Sequence, residues 1–131
     1  MTPSQIMPSL FGDVISTFMG VPKATDPNAT DAEVVVSGVP FDLACSGRSG
    51  TRMGPNAIRQ STANLIWEGK RWPWDFALED RLRVCDAGNL DYAYGEPESL
   101  VDNLETHAMR WLNAGKKMLT LGGDHYISLP L

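Results

Sequence analysis

The sequence is poor in several residue types that often identify a site, and each shortage excludes a class of protein. Its 131 residues include two cysteines, Cys45 and Cys85, whose separation fits neither a metal site nor a redox pair. We therefore expect a cytoplasmic protein with free thiols. The N-terminus lacks the basic start and apolar stretch of a signal peptide, and no apolar run is long enough to span a bilayer.

Positive charge is also scarce. The formal net charge is −5, and the arginines and lysines are scattered along the chain. Nucleic acids and anionic membranes bind clustered positive charge, so neither is expected as a partner. Hydrophobic residues make up 43% of the chain and charged residues 21%, which is the composition of an ordinary globular protein.

Strand patterns and helix patterns alternate along the chain. A β-branched run from Glu33 to Pro40 predicts a strand buried on both faces, as in a parallel sheet. Further strands are predicted at 82–86, ended by Gly88 and Asn89, and at 118–121. The intervening segments are long enough for helical crossovers, which favours a parallel α/β sheet with its function at the carboxyl ends of the strands.

Two helices are predicted between these strands. The first begins at Pro55 and the second at Pro97, since proline is favoured at the first helical position, and Gly115 fits as the cap of the second. Apolar residues at helical spacing predict the buried faces. The predicted faces are Ala57, Ile58, Thr62, Leu65 and Ile66 in the first helix, and Leu100, Val101, Leu104, Ala108, Trp111 and Leu112 in the second.

Residues 1–32 read as an irregular N-terminal extension, punctuated by four prolines. They hold one apolar patch, from Phe11 to Met19, for which we expect packing on the body of the protein or on a neighbouring subunit.

Polar residues follow each predicted strand: Asp42 the first, Asp86 the second, and Asp124 with His125 the third. Gly122 and Gly123 allow backbone dihedrals that a Cβ atom would forbid, so that His125 can turn inward. A neutral imidazole is a good ligand for Mn, Zn or Fe, and Asp124 would orient it or face the cation. By itself the Gly-Gly-Asp-His tetrad is equally compatible with a tight turn followed by a helix cap.

The glycine-rich loop at 46–54 precedes a helix, as phosphate-binding loops do, but it matches neither common phosphate-binding pattern. Arg48 and Arg52 are instead expected to pair with carboxylates, within the chain or across a subunit contact. His107 lies inside the second helix and is predicted to pack there and not to bind metal.

The aromatic loop, residues 67–76, carries three tryptophans, Trp67, Trp72 and Trp74, together with Phe76. Such a loop either shapes a pocket entrance or is pinned to the body or buried at an interface.

In combination and order, these segments resemble the ureohydrolase family of arginases and agmatinases. The matching segments run from Gly38-Val39-Pro40-Phe41-Asp42 through Ser46–Pro55, Ala57-Ile58-Arg59 and Asp86-Ala87-Gly88-Asn89 to Leu121-Gly122-Gly123-Asp124-His125. The aromatic loop is most similar to that of bacterial agmatinases.

The resemblance implies a three-layer α/β/α fold with a parallel sheet, of which 33–131 would form only the first strands and helices. It implies two Mn ions that activate water for attack on a guanidinium carbon, releasing urea and an amine. His125 would be the first metal ligand and Asp124 would act just outside the ligands. The implied partners are a small guanidino substrate and further copies of the chain in a homo-oligomer.

Two departures from the family pattern limit this expectation. The family's Asp-Ala-His-x-Asp motif and its later Asp-x-Asp pair, which carry the remaining metal ligands, do not occur in the sequence, nor do its catalytic proton-shuttling residues. Asn89 replaces an aspartate that is common at its position, a change expected to perturb the strand end slightly.

We therefore expect the N-terminal piece of an agmatinase-like enzyme, inactive by itself and prone to aggregate through an unpaired sheet edge. The alternatives are a ureohydrolase for another guanidino compound, such as guanidinobutyrate, and a truncated interaction module without catalysis.

Overall fold

A computed structural model describes residues 17–93 and 95–131, without the side chains of Asn64 and Ile66. Strands and helices alternate along the chain, with short 3₁₀ turns in the connections. The elements are β1 (Val34–Val39), α1 (Gly54–Thr62), β2 (Val84–Asn89), α2 (Pro97–Asn113) and β3 (Lys117–Gly122). The apolar patch from Phe11 to Met19 lies mostly outside the described residues.

The three strands form one parallel sheet in the order β2-β1-β3. Val36 of β1 is aligned with Asp86 on one side and with Leu119 on the other, and Val39 is aligned with Gly122. The predicted parallel sheet with three neighbouring strands is thereby confirmed, and the carboxyl ends of all three strands lie at one edge.

Helices cover both faces of this sheet. Side chains of a strand point alternately to opposite faces. On β1, Ser37 faces α2, where its Oγ shares a 2.8 Å hydrogen bond with Nε2 of His107. Gly38 faces the other way, toward Pro55 and Arg59 of α1. The described part of the chain is therefore an α/β/α sandwich, as predicted.

The buried face of the second helix packs against the sheet. Leu100 and Leu104 pack with Val39 and Phe41, and Trp111 packs with Val35 and Cys85. Each fully buried leucine contributes about 1.5–3 kcal/mol of hydrophobic stabilisation. Ala108 completes this face, while Val101 is half-buried; Leu112, predicted to be buried, is 49% exposed because it lies at the last turn.

Both predicted ends of α2 are confirmed. Pro97 occupies the first turn, and Gly115 follows the helix with a φ of 76°. The N–H of Gly115 donates to the carbonyl of Leu112, and the N–H of Lys116 donates to that of Trp111. These two bonds satisfy carbonyls that the helix end leaves open.

The predicted buried face of the first helix is wrong at its first two positions, whereas Thr62 and Leu65 are half-buried and the side chain of Ile66 lies outside the described part. Ala57 is exposed and Ile58 is 38% exposed, whereas Pro55 and Arg59 are the buried residues of the helix. The reason is that the facing side of the sheet carries a carboxylate, Asp86, which draws an arginine inward in place of an aliphatic side chain.

The second strand continues beyond its predicted end. Gly88 and Asn89 belong to β2, since Asn89 is aligned with Gly38 after an irregularity in the register. On the far side of β2, the N–H of Asp86 donates to the carbonyl of Pro22, and the N–H of Ala24 donates to the carbonyl of Asp86. The segment before β1 therefore covers the middle of the β2 edge.

In the described ranges, no helix has the length and apolarity needed to cross a membrane.

Candidate metal centre

The glycine turn after β3 is fixed by close backbone packing. Gly123 has a φ of 56°, and a Cβ atom there would lie 2.5 Å from the carbonyl oxygen of Val39 and 2.7 Å from that of Phe41. The next N–H, of Asp124, donates to the Phe41 carbonyl at 2.8 Å. Only glycine meets both the backbone conformation and the space at this position, so the turn is seated against the end of β1.

Asp124 ties this turn to the loop that follows β1. One carboxylate oxygen accepts the N–H of Tyr126 at 2.8 Å and the other accepts the N–H of Ala44 at 2.9 Å. Asp124 is also the N-cap of a short 3₁₀ helix, His125–Ser128, and is 8% exposed. The expectation of a tight turn with a helix cap is thus met at Asp124, whose carboxylate acts on the backbone.

His125 is the first residue of that 3₁₀ helix, and its side chain is exposed. Its Nδ1 lies 3.3 Å from the hydroxyl of Ser128, and the ring makes no other hydrogen bond among the described residues. The imidazole is therefore open to a cation at the carboxyl end of β3. Ser128 was not predicted as a site residue, although its spacing of three from His125 is a signal for a shared helical face.

Asp86, by contrast, is turned away from any ligand. It is 2% exposed, and both of its oxygens accept bonds from the Arg59 guanidinium at 2.9 Å. The N–H groups of Phe18 and Gly88 donate to the same carboxylate, each at 2.8 Å. Burial raises the pKa of Asp86, but the Arg59 guanidinium and the two N–H groups outweigh it and hold the pKa below its usual value.

The polar cluster around Arg59 extends to two asparagines. Its Nη1 donates to the side-chain oxygen of Asn89, whose own amide donates to Asn56 at 3.0 Å. Asn89 is thereby bonded to α1, and sequence reasoning missed both this contact and the burial of Arg59.

Asp42 forms an ion pair with Arg52 at 2.9 Å and accepts the N–H of Gly50 at 3.0 Å. Burial raises its pKa, but the bonds from Gly50 and Arg52 outweigh that effect and lower the pKa. The predicted pairing of Arg52 with a carboxylate within the chain is therefore confirmed. Arg48 is exposed and has no ion pair in the described part of the chain.

His107 is half-buried on α2, as predicted, and its Ser37 partner is 1% exposed. Burial lowers the pKa of His107, and the charge of Arg110 lowers it further. The neutral ring that results serves packing, beside Trp111, at a ring-centroid separation of 6.3 Å.

The aromatic loop is largely exposed. Trp67, Trp72 and Trp74 are 75%, 94% and 61% exposed, so the loop is not pinned to the body by its tryptophans. Trp74 and Phe76 line a cavity of about 420 Å³ together with Arg71.

The described residues fit one ligand position of a metal site. His125 offers an exposed imidazole, which suits Mn, Zn or Fe. No group of three or more His, Cys, Asp or Glu side chains suited to a metal ion occurs in the described ranges.

Comparison with known proteins identifies the family. The model of the arginase family matches residues 32–131. An agmatinase of Sodalis glossinidius is 54% identical over 114 residues, which is 87% of this chain and 37% of that protein. The chain thus spans little more than a third of the length of this relative.

Solved structures agree in fold. The structure of a hypothetical agmatinase from Burkholderia thailandensis superposes with a TM-score of 0.82 at 40% identity, covering 92% of this chain and 37% of that one. A formiminoglutamase of Trypanosoma cruzi solved with manganese has a TM-score of 0.63 at 25% identity, covering 87% of this chain and 37% of that one. The predicted resemblance and the arginase-like fold are confirmed, and the chain belongs to the arginase family.

Proposed function

We propose that this chain forms the N-terminal part of an agmatinase, a manganese-dependent amidinohydrolase that converts agmatine to putrescine and urea. The observation that carries the proposal is the exposed His125 imidazole, held on a rigid turn at the carboxyl end of β3 in an arginase-family chain. The agmatinase relatives at about half identity favour agmatine over guanidinobutyrate and over a non-catalytic module.

His125 would contribute one ligand to a pair of manganese ions. When bound, the metal would supply Lewis-acid activation of water for attack on the guanidinium carbon. Ser128, 3.3 Å from Nδ1, would orient the ring, because a bond at one ring nitrogen fixes the tautomer and direction of the other.

Asp124 would hold the ligand in place without touching the metal. Both of its oxygens are taken by backbone N–H groups, of Ala44 and Tyr126. The carboxylate therefore locks the turn that carries His125 to the loop after β1, and the remaining metal ligands would come from the portion of the enzyme that this chain does not span.

A chimeric enzyme tests the proposal. The 131-residue chain would replace the homologous segment of the Sodalis glossinidius agmatinase. We expect manganese-dependent release of urea from agmatine, and much slower release from 4-guanidinobutyrate or arginine.

The two histidines of the chain provide a matched pair of variants. His125→Ala in the chimera should abolish activity and weaken manganese binding, whereas His107→Gln should preserve both. Full activity of the His125→Ala chimera would refute the assignment of the ligand.

The chain by itself should release no urea, because a single imidazole cannot hold two divalent ions. Urea release by the purified 131-residue protein with added manganese, lost on His125→Ala, would contradict this expectation.

We further propose a cytoplasmic, homo-oligomeric enzyme that has no nucleic acid or membrane partner. The scattered basic residues and the net charge of −5 argue against nucleic acid and anionic membranes as partners, and the homo-oligomer is what the family resemblance implies. Analytical ultracentrifugation of the chimera would measure the oligomeric state.

A further inference from the structure

We propose that Arg59 is a positioning residue for the turn that carries His125, acting through α1. This inference rests on the proposed metal-binding role of His125. It begins from two contacts at opposite ends of one short helix, the Arg59–Asp86 ion pair and the packing of Gly54 on Gly122.

The first contact anchors α1 to the sheet. Arg59 is 1% exposed and meets Asp86 through two parallel bonds of 2.9 Å, a bidentate geometry that fixes both distance and orientation. Its Nη1 also donates to Asn89, so the guanidinium holds two residues of β2 at once.

The second contact places α1 against the turn that carries His125. A Cβ atom on Gly54 would lie 2.6 Å from the carbonyl oxygen of Gly122 and 3.7 Å from the nitrogen of Gly123. The amino-terminal residue of the helix therefore lies directly against the backbone of Gly122, at the start of the turn that carries His125.

Both contacts lie along one helix of nine residues. Gly54 and Arg59 are separated by five residues, or about 7.5 Å of helix axis. Gly38 of β1 opens the space for this helix, since a Cβ there would meet Pro55 and Arg59. The helix is therefore fixed at Asp86 and abuts the turn at Gly122, so that a displacement of Arg59 moves the surface on which the turn rests.

Arg59→Lys tests the proposal, because lysine keeps the charge but cannot form the bidentate pair. The matched control is Arg83→Lys, whose arginine is 58% exposed and pairs with Asp31 and Glu33 at the amino ends of the strands. NMR spectra of the full 131-residue chain report the amide signals of Gly122 and Gly123 and the ring signals of His125.

In Arg59→Lys, we expect these signals to shift while the far-UV circular dichroism is retained, and in the chimeric enzyme we expect the manganese concentration that gives half-maximal urea release to rise several-fold. Arg83→Lys should match the unsubstituted chain in both respects. A folded Arg59→Lys protein with unchanged turn signals would overturn the proposal.

Asp86→Asn decides the matter if Arg59→Lys does not fold. The substitution removes the carboxylate that accepts both Arg59 bonds, and it lies on β2, which β1 separates from the turn after β3. Shifted signals at Gly123 and His125 support the proposal, and unchanged signals refute it.

The two readouts separate this inference from the proposed function. If His125→Ala leaves manganese binding by the chimeric enzyme unchanged, the metal ligand assignment fails, while the amide shifts in the 131-residue chain still decide the role of Arg59.

Discussion

Two polar residues of the sheet region, Asp86 within β2 and His125 just after β3, differ in what surrounds them. At β2, Asp86 is 2% exposed and accepts four bonds from Arg59, Phe18 and Gly88. At β3, His125 is exposed and has one weak contact, with Ser128. A buried charge must be fully paired to persist, whereas a metal ligand must keep an atom open. Asp86 therefore serves structure, and His125 is available for chemistry.

Removing Arg59, the ion-pair partner of Asp86, should produce the largest loss of stability. Arg59→Ala leaves the Asp86 carboxylate buried without its counter-ion, and we expect a loss of about 3–5 kcal/mol in the free energy of unfolding. Urea denaturation measures it. The control, Arg83→Ala, removes an exposed arginine and should cost less than about 1 kcal/mol. Equal losses in both variants would show that the buried ion pair of Arg59 contributes no more to stability than the exposed ion pairs of Arg83.

Alanine substitution at two glycines separates the energetic cost of an unfavourable backbone conformation from the cost of close packing. Both Gly123 and Gly115 have positive φ, but a Cβ meets backbone oxygens at Gly123 and open space at Gly115. Gly115→Ala should therefore cost about 1–2 kcal/mol. Gly123→Ala should cost about 1–3 kcal/mol more, because neighbouring backbone must also move. Equal melting temperatures would show that the turn is not fixed by packing.

Acid should remove the stabilisation that the ionised carboxylate of Asp86 provides. The pKa of Asp86 is lowered on folding, so its stabilisation is present above the unfolded pKa of about 3.9 and is lost as the pH falls through the folded value. The difference in unfolding free energy between the unsubstituted chain and Asp86→Asn should shrink as the pH is lowered from 6 to 3. A difference independent of pH would contradict the ionised state of Asp86.

A smaller effect is expected at His107, in a separate pH range. Its folded pKa is also lowered, so the folded chain binds fewer protons and stability is lost as the pH falls below the unfolded pKa of about 6.5. Between pH 7.5 and 5.5, the urea midpoint should fall more for the unsubstituted chain than for His107→Gln. Parallel curves would show that the ring is not desolvated.

Sequence patterns predicted the elements that depend on local chemistry. Proline at the start of α2 and glycine after its end act on their own backbone, so Pro97 and Gly115 were read correctly. The Gly-Gly-Asp-His tetrad likewise identified the turn after β3.

The patterns failed where a distant residue decides the outcome. Hydrophobic periodicity assigned Ile58 to the core and did not include Arg59 in the buried face, because periodicity does not consider charge pairing across the fold. A usable signal was present, since an aspartate inside a buried strand, Asp86, requires a cationic partner. The same limitation placed the end of β2 too early, because Gly88 and Asn89 extend the strand through pairing with β1.

Because the backbones of Pro22 and Ala24 bond to Asp86, the two edges of the sheet are not equally available for pairing with a further strand. With the middle of the β2 edge covered and β3 without a strand on its outer side in the described ranges, any added strand joins at β3. Two copies of this chain that meet through their β3 edges use up both open edges. We therefore expect edge-to-edge association of the folded chain to stop at a two-fold symmetric pair, and fibre growth would show that the uncovered part of the β2 edge also pairs.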